Sequence, residues 1–210
     1  MMTIPTLATL LSLTLPLPAE APTAPATEFA SLATSTVVSV QDPTCTVSPN
    51  MDLEGRASPL DSTSVSLAGG TVKLCYGAPS ARGRTMIGGE AVPFGSIWRT
   101  GANEATVLHT TVALSLGGLA LEPGSYALYT IPGETEWELF VTRSTGHWGI
   151  QITDEVRAQE VGSVQLSSER IEDHVETLDF TFEDAGSRSA SLVMEWEHTR
   201  LTIPVTATGS

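Results

Sequence analysis

From about residue 60 onward, apolar and polar residues alternate with a period of two, in short runs broken by glycine or proline. The run "SVSLAGGTVKLCYG" predicts two strands around Gly69-Gly70, and "TVALSLGGLALEPG" predicts two more around Gly117-Gly118, because paired glycines supply the positive φ that tight hairpins need. Next, "SYALYTIPG" and "EWELFVTR" flank Pro132-Gly133. In the second, Trp137, Leu139 and Val141 share one face while Glu136, Glu138 and Phe140 share the other. The alternation returns in "LDFTFED", with Leu178, Phe180 and Phe182 pointing inward. In "LVMEWEHTRLTIPVT", Leu192, Met194 and Trp196 form one stripe, and Leu201, Ile203 and Val205 form another across an expected turn near His198. Only "TDEVRAQE" offers a helical turn. Many short strands with turn signals at this spacing predict an all-β fold: a single-domain β-sandwich, jelly-roll-like and mostly antiparallel, over residues 57–207. The absence of a long internal repeat argues against solenoids and propellers.

Upstream the pattern is different. "MMTIPTLATLLSLTLPLPAEAPTAPA" is apolar, has no acidic residue before Glu20, and carries small-x-small sites at Ala19-Glu20-Ala21 and Ala24-Pro25-Ala26. That is the grammar of a secretory signal peptide, here residues 1–21, although no Lys or Arg precedes Arg56. A membrane anchor is the rival reading, but a span needs about 20 apolar residues, and Pro5, Pro16 and Pro18 interrupt this run. Residues 22–56, rich in Ala, Thr, Ser and Pro, read as a disordered spacer. The expected location is therefore exported, periplasmic or extracellular, with no membrane insertion after cleavage. There a disulfide between Cys45 and Cys75 would contribute roughly 3–4 kcal/mol in the chain-entropy picture; the alternative is a buried thiol at Cys75 and a loose one at Cys45.

Charge narrows the partners. The formal net charge of -14 argues against nucleic acid and anionic membranes. Within this acidic chain, residues 71–100 form a basic island in which Lys73, Arg82, Arg84 and Arg99 face Glu90 alone. Lys73 is the single lysine, so the cations are almost all guanidinium groups, suited to gripping carboxylate or phosphate in a fork. Signatures for a serine-hydrolase elbow, a phosphate loop, a zinc-protease helix and zinc knuckles are missing, and His109, His147, His174 and His198 lack ligand spacing. No metal or cofactor is expected.

The stretch "SIWRTGANEAT" concentrates the candidate chemistry. Trp98 is either a core anchor or a stacking platform. Arg99 is either the counter-ion of Glu104 across Gly101 or, with Arg82 and Arg84, part of an anion site. Asn103 either caps the turn or orients a ligand. Glu104 is the acid/base candidate, with His109 the nearest other titratable group in sequence. A second loop, "TGHWG", sets His147 and Trp148 between glycines. An aromatic loop and an Arg-Asn-Glu loop on one rim would make a cleft for a small ligand.

Taken together, "YGAPSARGRTMIGG", "AVPFGSIWRTGANEAT", "LEPGSYALYTIPGETEWELF" and "LVMEWEHTRLTIPV" resemble an exported bacterial family catalogued as domain of unknown function 2911, over roughly residues 57–207. The resemblance implies an exported all-β domain and brings no activity, cofactor or catalytic residue. Phe94 stands where tyrosine is expected, and Thr142-Arg143 where Asn-Lys is expected. The function expected first is a non-catalytic binding module of the bacterial envelope, taking a small anionic or saccharide-like ligand near Arg82, Arg84, Trp98, Arg99, Asn103 and Glu104. The alternatives are a hydrolase or lyase with Glu104 as acid/base and Arg99 as substrate anchor, and a structural or assembly module.

Overall fold

The computed structural model describes residues 43–47, 53–148 and 151–209, all within one compact unit spanning 39–210. The expected signal peptide, 1–21, and most of the expected spacer lie outside the described residues. In chain order the elements are β1 (Leu60–Leu67), β2 (Gly70–Gly77), β3 (Thr106–Thr110), β4 (Leu114–Leu116), β5 (Leu119–Leu121), β6 (Gly124–Ile131), β7 (Glu136–Thr142), α1 (Asp154–Arg157), β8 (Glu160–Glu183) and β9 (Ser189–Ala207). The single helical turn falls within the "TDEVRAQE" segment.

The strands pair in the order β1-β2-β3-β6-β7-β8-β9-β4-β5, every pairing antiparallel. One strand joins the two layers: residues 160–167 of β8 pair with β7, and residues 168–183 pair with β9. Register shifts along the β8–β9 ladder, between Arg170 and Val175 and between Val175 and Asp179, mark bulges, which bend a strand and raise its twist. The result is an all-β, sandwich-like fold around one apolar cluster. Tyr76 on β2 stitches the layers together. Its hydroxyl donates to Asp179 Oδ1 and accepts from the Phe180 N–H, both at 3.1 Å, and its ring meets Phe180 edge-on at 4.8 Å.

The period-two faces are where the alternation placed them. Trp137, Leu139 and Val141 are at most 1% exposed, as are Leu192, Met194 and Trp196. The turn expected near His198 is absent. Instead β9 runs unbroken, and Glu197 takes a φ of 54°. The ladder bulges there, with the extra residues on β8, and across the left-handed Glu197 the inward stripe passes from even positions (192, 194, 196) to odd ones (201, 203, 205) without reversing the chain. The Glu197 carboxylate accepts from the backbone N–H groups of Met86 (3.0 Å) and Ile87 (2.8 Å), so the bulge anchors a distant loop. The first hairpin also differs slightly: its turn is Ala68-Gly69, with φ of 50° and 79°, closed by the Leu67–Gly70 pair. Gly70 serves packing, since a Cβ there would lie 2.3 Å from Val112 Cγ1.

Candidate functional site

The long connection from β2 to β3, residues 78–105, carries the predicted site. Trp98 holds its middle. Backbone bonds from Trp98 N–H to Thr130 O (2.7 Å) and from Thr130 N–H to Trp98 O (2.8 Å) extend the sheet beside β6. The Trp98 indole is 8% exposed, stacked on Trp196 at 5.7 Å and edge-on to Trp137 at 6.1 Å. The chain then turns sharply. The Thr100 hydroxyl is hydrogen-bonded to Trp98 O at 3.2 Å and to the Thr130 hydroxyl at 3.0 Å, while Thr106 Oγ1 donates to Thr100 O. Thr100 and Asn103 adopt φ of 58° and 63°, a left-handed conformation uncommon outside glycine. The turn lies directly on the end of β2: a Cβ on Gly77 would sit 1.9 Å from Ala102 O, and one on Gly101 would sit 2.6 Å from Thr106 Oγ1.

Glu104 emerges on the other side of this turn, 7% exposed. Its ion-pair partner is Arg56 at 2.8 Å, in place of the Arg99 expected from proximity in sequence. Arg56 comes from the spacer side of the expected boundary at residue 57. The backbone just after it is tied down by Arg82 Nη2 donating to Ala57 O (2.8 Å), Asn103 Nδ2 donating to Ser58 O (3.0 Å) and Ala78 N–H donating to Pro59 O (2.8 Å). Sequence reasoning passed over Arg56; the one signal for it was its place as the first cation in the chain.

A cleft of about 350 Å³ opens beside Glu104, lined also by His109, Ser125, His147, Trp148 and Val47. An isolated bridge between Glu104 and Trp148 brings the "ANEA" and "TGHWG" loops together. His109 faces Ser125 across β3 and β6, with Nδ1 2.8 Å from the serine Oγ. His147 Nδ1–H donates to Ser144 O at 2.8 Å. Burial lowers the pKa of both histidines below the usual imidazole range, aided by Lys73 for His109 and by Arg99 for His147. A neutral His147 whose Nδ1 carries the proton presents Nε2 as an acceptor. Three atoms of this wall, Glu104 Oε2, His109 Nε2 and His147 Nε2, are sealed and have no hydrogen-bond partner among the described residues. Unpaired buried polar atoms are rare and costly, and three residues that line this cleft carry one each, as Arg56, the partner of Glu104, does at Nε and Nη2.

The guanidinium groups do not gather here. Arg84 donates through Nε to Ala81 O and through Nη2 to Ser80 O. Arg82, at φ 53°, binds Ala57 O as above, and its own N–H donates to Glu176 Oε1. Arg99 Nη1 donates to Asn103 O at 3.1 Å, and burial lowers its pKa. With Trp98, Arg99 lines a second cavity of about 390 Å³. Arg82, Arg84 and Asn103 line neither cavity. The expected anion site is thus divided: Trp98 and Arg99 lie on one cavity, Glu104 on the other, and Arg82 and Arg84 grip backbone carbonyls.

A disulfide joins Cys45 to Cys75, with a Cα–Cα distance of 5.6 Å, as an oxidising compartment permits. Among the described residues, no helix is long and apolar enough to cross a membrane, and no group of three or more His, Cys, Asp or Glu is placed to hold a metal ion. No curated protein and no solved structure matches the chain. One family model does, over residues 58–205, which is most of the described domain, and the chain accordingly belongs to the family described as Protein of unknown function (DUF2911).

Proposed function

We propose that this protein is an exported, non-catalytic binding module of the bacterial envelope whose cleft takes a small, neutral, hydroxyl-bearing ligand of the saccharide type. The observation that carries the reading is the 57% exposed indole of Trp148 on a cleft that the acceptor-bearing side chains of Glu104 and His147 also line. Sugar hydroxyls donate to such acceptors, and a pyranose face packs on an exposed indole. An anion fits less well there: among the described residues no lysine or arginine lines the cleft, whereas the Glu104 carboxylate does. No hydrogen bond joins Glu104 to His109, which favours binding over an acid/base pair.

The test is a thermal-shift and calorimetric screen of neutral mono- and disaccharides against small organic acids. Sugars are expected to raise the melting temperature. Trp148→Ala and His147→Ala are expected to abolish that rise while leaving the unliganded melting temperature near that of the parent. A rise with organic acids alone, lost in Arg99→Ala, would overturn the saccharide reading and return the site to the Trp98–Arg99 cavity. Turnover of a sugar, lost in Glu104→Gln, would favour the hydrolase or lyase.

A further inference from the structure

The cleft has one wall that belongs to neither sheet layer. Thr46 and Val47 line it together with Cys75 of β2. Among the described residues, the segment 43–47 makes no hydrogen bond to the sheet, and its tie is the Cys45–Cys75 disulfide. The segment from Arg56 to Pro59, by contrast, keeps the Glu104, Arg82, Asn103 and Ala78 contacts described above, none of which involves sulfur. The disulfide is thus the one bond that ties 43–47 to the sheet among the described residues, whereas 56–59 has several others.

We infer that this disulfide is a redox latch on the cleft: oxidised, it holds Thr46 and Val47 as a wall; reduced, it frees them and dismantles the ligand site. The inference deepens the binding reading and rests on it for its consequence, since capture of ligand becomes coupled to thiol–disulfide state. The reductant is a dithiol. Its thiolate attacks Cys45 Sγ, because Cys45 is half-buried whereas Cys75 is only 4% exposed. A bond forms to Cys45 Sγ, the S–S bond breaks, and Cys75 leaves as the thiolate. The second thiol of the reductant then displaces Cys45. The reductant ends as a disulfide, and two electrons and two protons reside on the two protein cysteines. Such a latch keeps the site unformed in a reducing compartment and completes it where disulfides form.

The test needs no ligand. The full chain is treated with diethyl pyrocarbonate in three states, oxidised, reduced with dithiothreitol, and as Cys45→Ser, and labelling of each histidine is followed by mass spectrometry. His109 and His147 are expected to react about tenfold faster in the latter two states, as for a local opening, while half-buried His198 on β9 is unchanged. Equal labelling of His109 and His147 in all three states would overturn the latch. So would a parallel rise at His198, which would make the disulfide a staple of the whole fold. Because imidazole reactivity is read directly, a failed sugar screen would leave this result intact, and a failed latch would leave the sugar screen intact.

Discussion

Trp98 and Glu104 lie six positions apart in one loop and meet opposite surroundings. On the Trp98 side, the indole is packed between two tryptophans, and the Thr100 and Thr106 hydroxyls are all engaged. On the Glu104 side, within a few residues, Glu104 Oε2 and His109 Nε2 are sealed from water with no partner. Folding accounts for most of the first side, where Trp137 Nε1 is the one polar atom sealed without a partner among the described residues. It does not account for the second, where unpaired polar atoms raise the free energy of the native state. The loop is therefore a structural corner on one face, and on the other it carries residues of the site proposed above.

That contrast can be broken from either side. Trp98→Ala should cost about 3–5 kcal/mol in urea denaturation, the scale of a buried aromatic truncated in a close-packed core; a negligible loss would move Trp98 to the ligand side. Arg56→Ala should cost about 3 kcal/mol by leaving the Glu104 carboxylate buried without its cation. The double variant Arg56→Ala/Glu104→Ala should recover much of that loss, and failure to recover would mean that the pair is not what binds Arg56 to the domain. Gly77→Ala should cost roughly 1–3 kcal/mol, because the new Cβ collides with a backbone oxygen that cannot swing away.

Smaller effects sharpen the cleft side. His109 and His147 have pKa values lowered by burial, so the unfolded chain binds more protons than the native one just below the usual imidazole value. Their contribution should be complete above about pH 6.5, decline as pH falls through that value towards the folded-state pKa, and level off below it. His147→Gln should flatten this decline in a urea midpoint series; an unchanged slope would show that His147 titrates normally. Smallest of all, Trp148→Ala should alter stability by no more than about 0.5 kcal/mol, as for a surface side chain. A large loss would make Trp148 a packing residue and remove the aromatic element from the site.

Much of this molecule was legible before any coordinate. The inward stripes of β7 and β9, the helical turn at 154–157 and the hairpin at Gly117-Gly118 all follow from residues within one strand or one turn of each other. The "ANEA" and "TGHWG" loops were readable as two sides of a cleft because both mix aromatic or charged groups with glycine or small residues. The bulge at Glu197 was not, because its stabilising partners, Met86 and Ile87, are about a hundred residues away in the chain.

By itself, the sequence determined the strand content, the family and the buried faces, since side-chain alternation and turn chemistry act over a few residues. The tertiary structure alone decided that Glu104 pairs with Arg56, that Cys45 reaches Cys75, and that Arg82 and Arg84 hold carbonyls of nearby loops in place of a shared anion. Those outcomes depend on which distant groups the folded backbone brings within about 3 Å, the reach of a hydrogen bond, and local pattern carries no record of that distance.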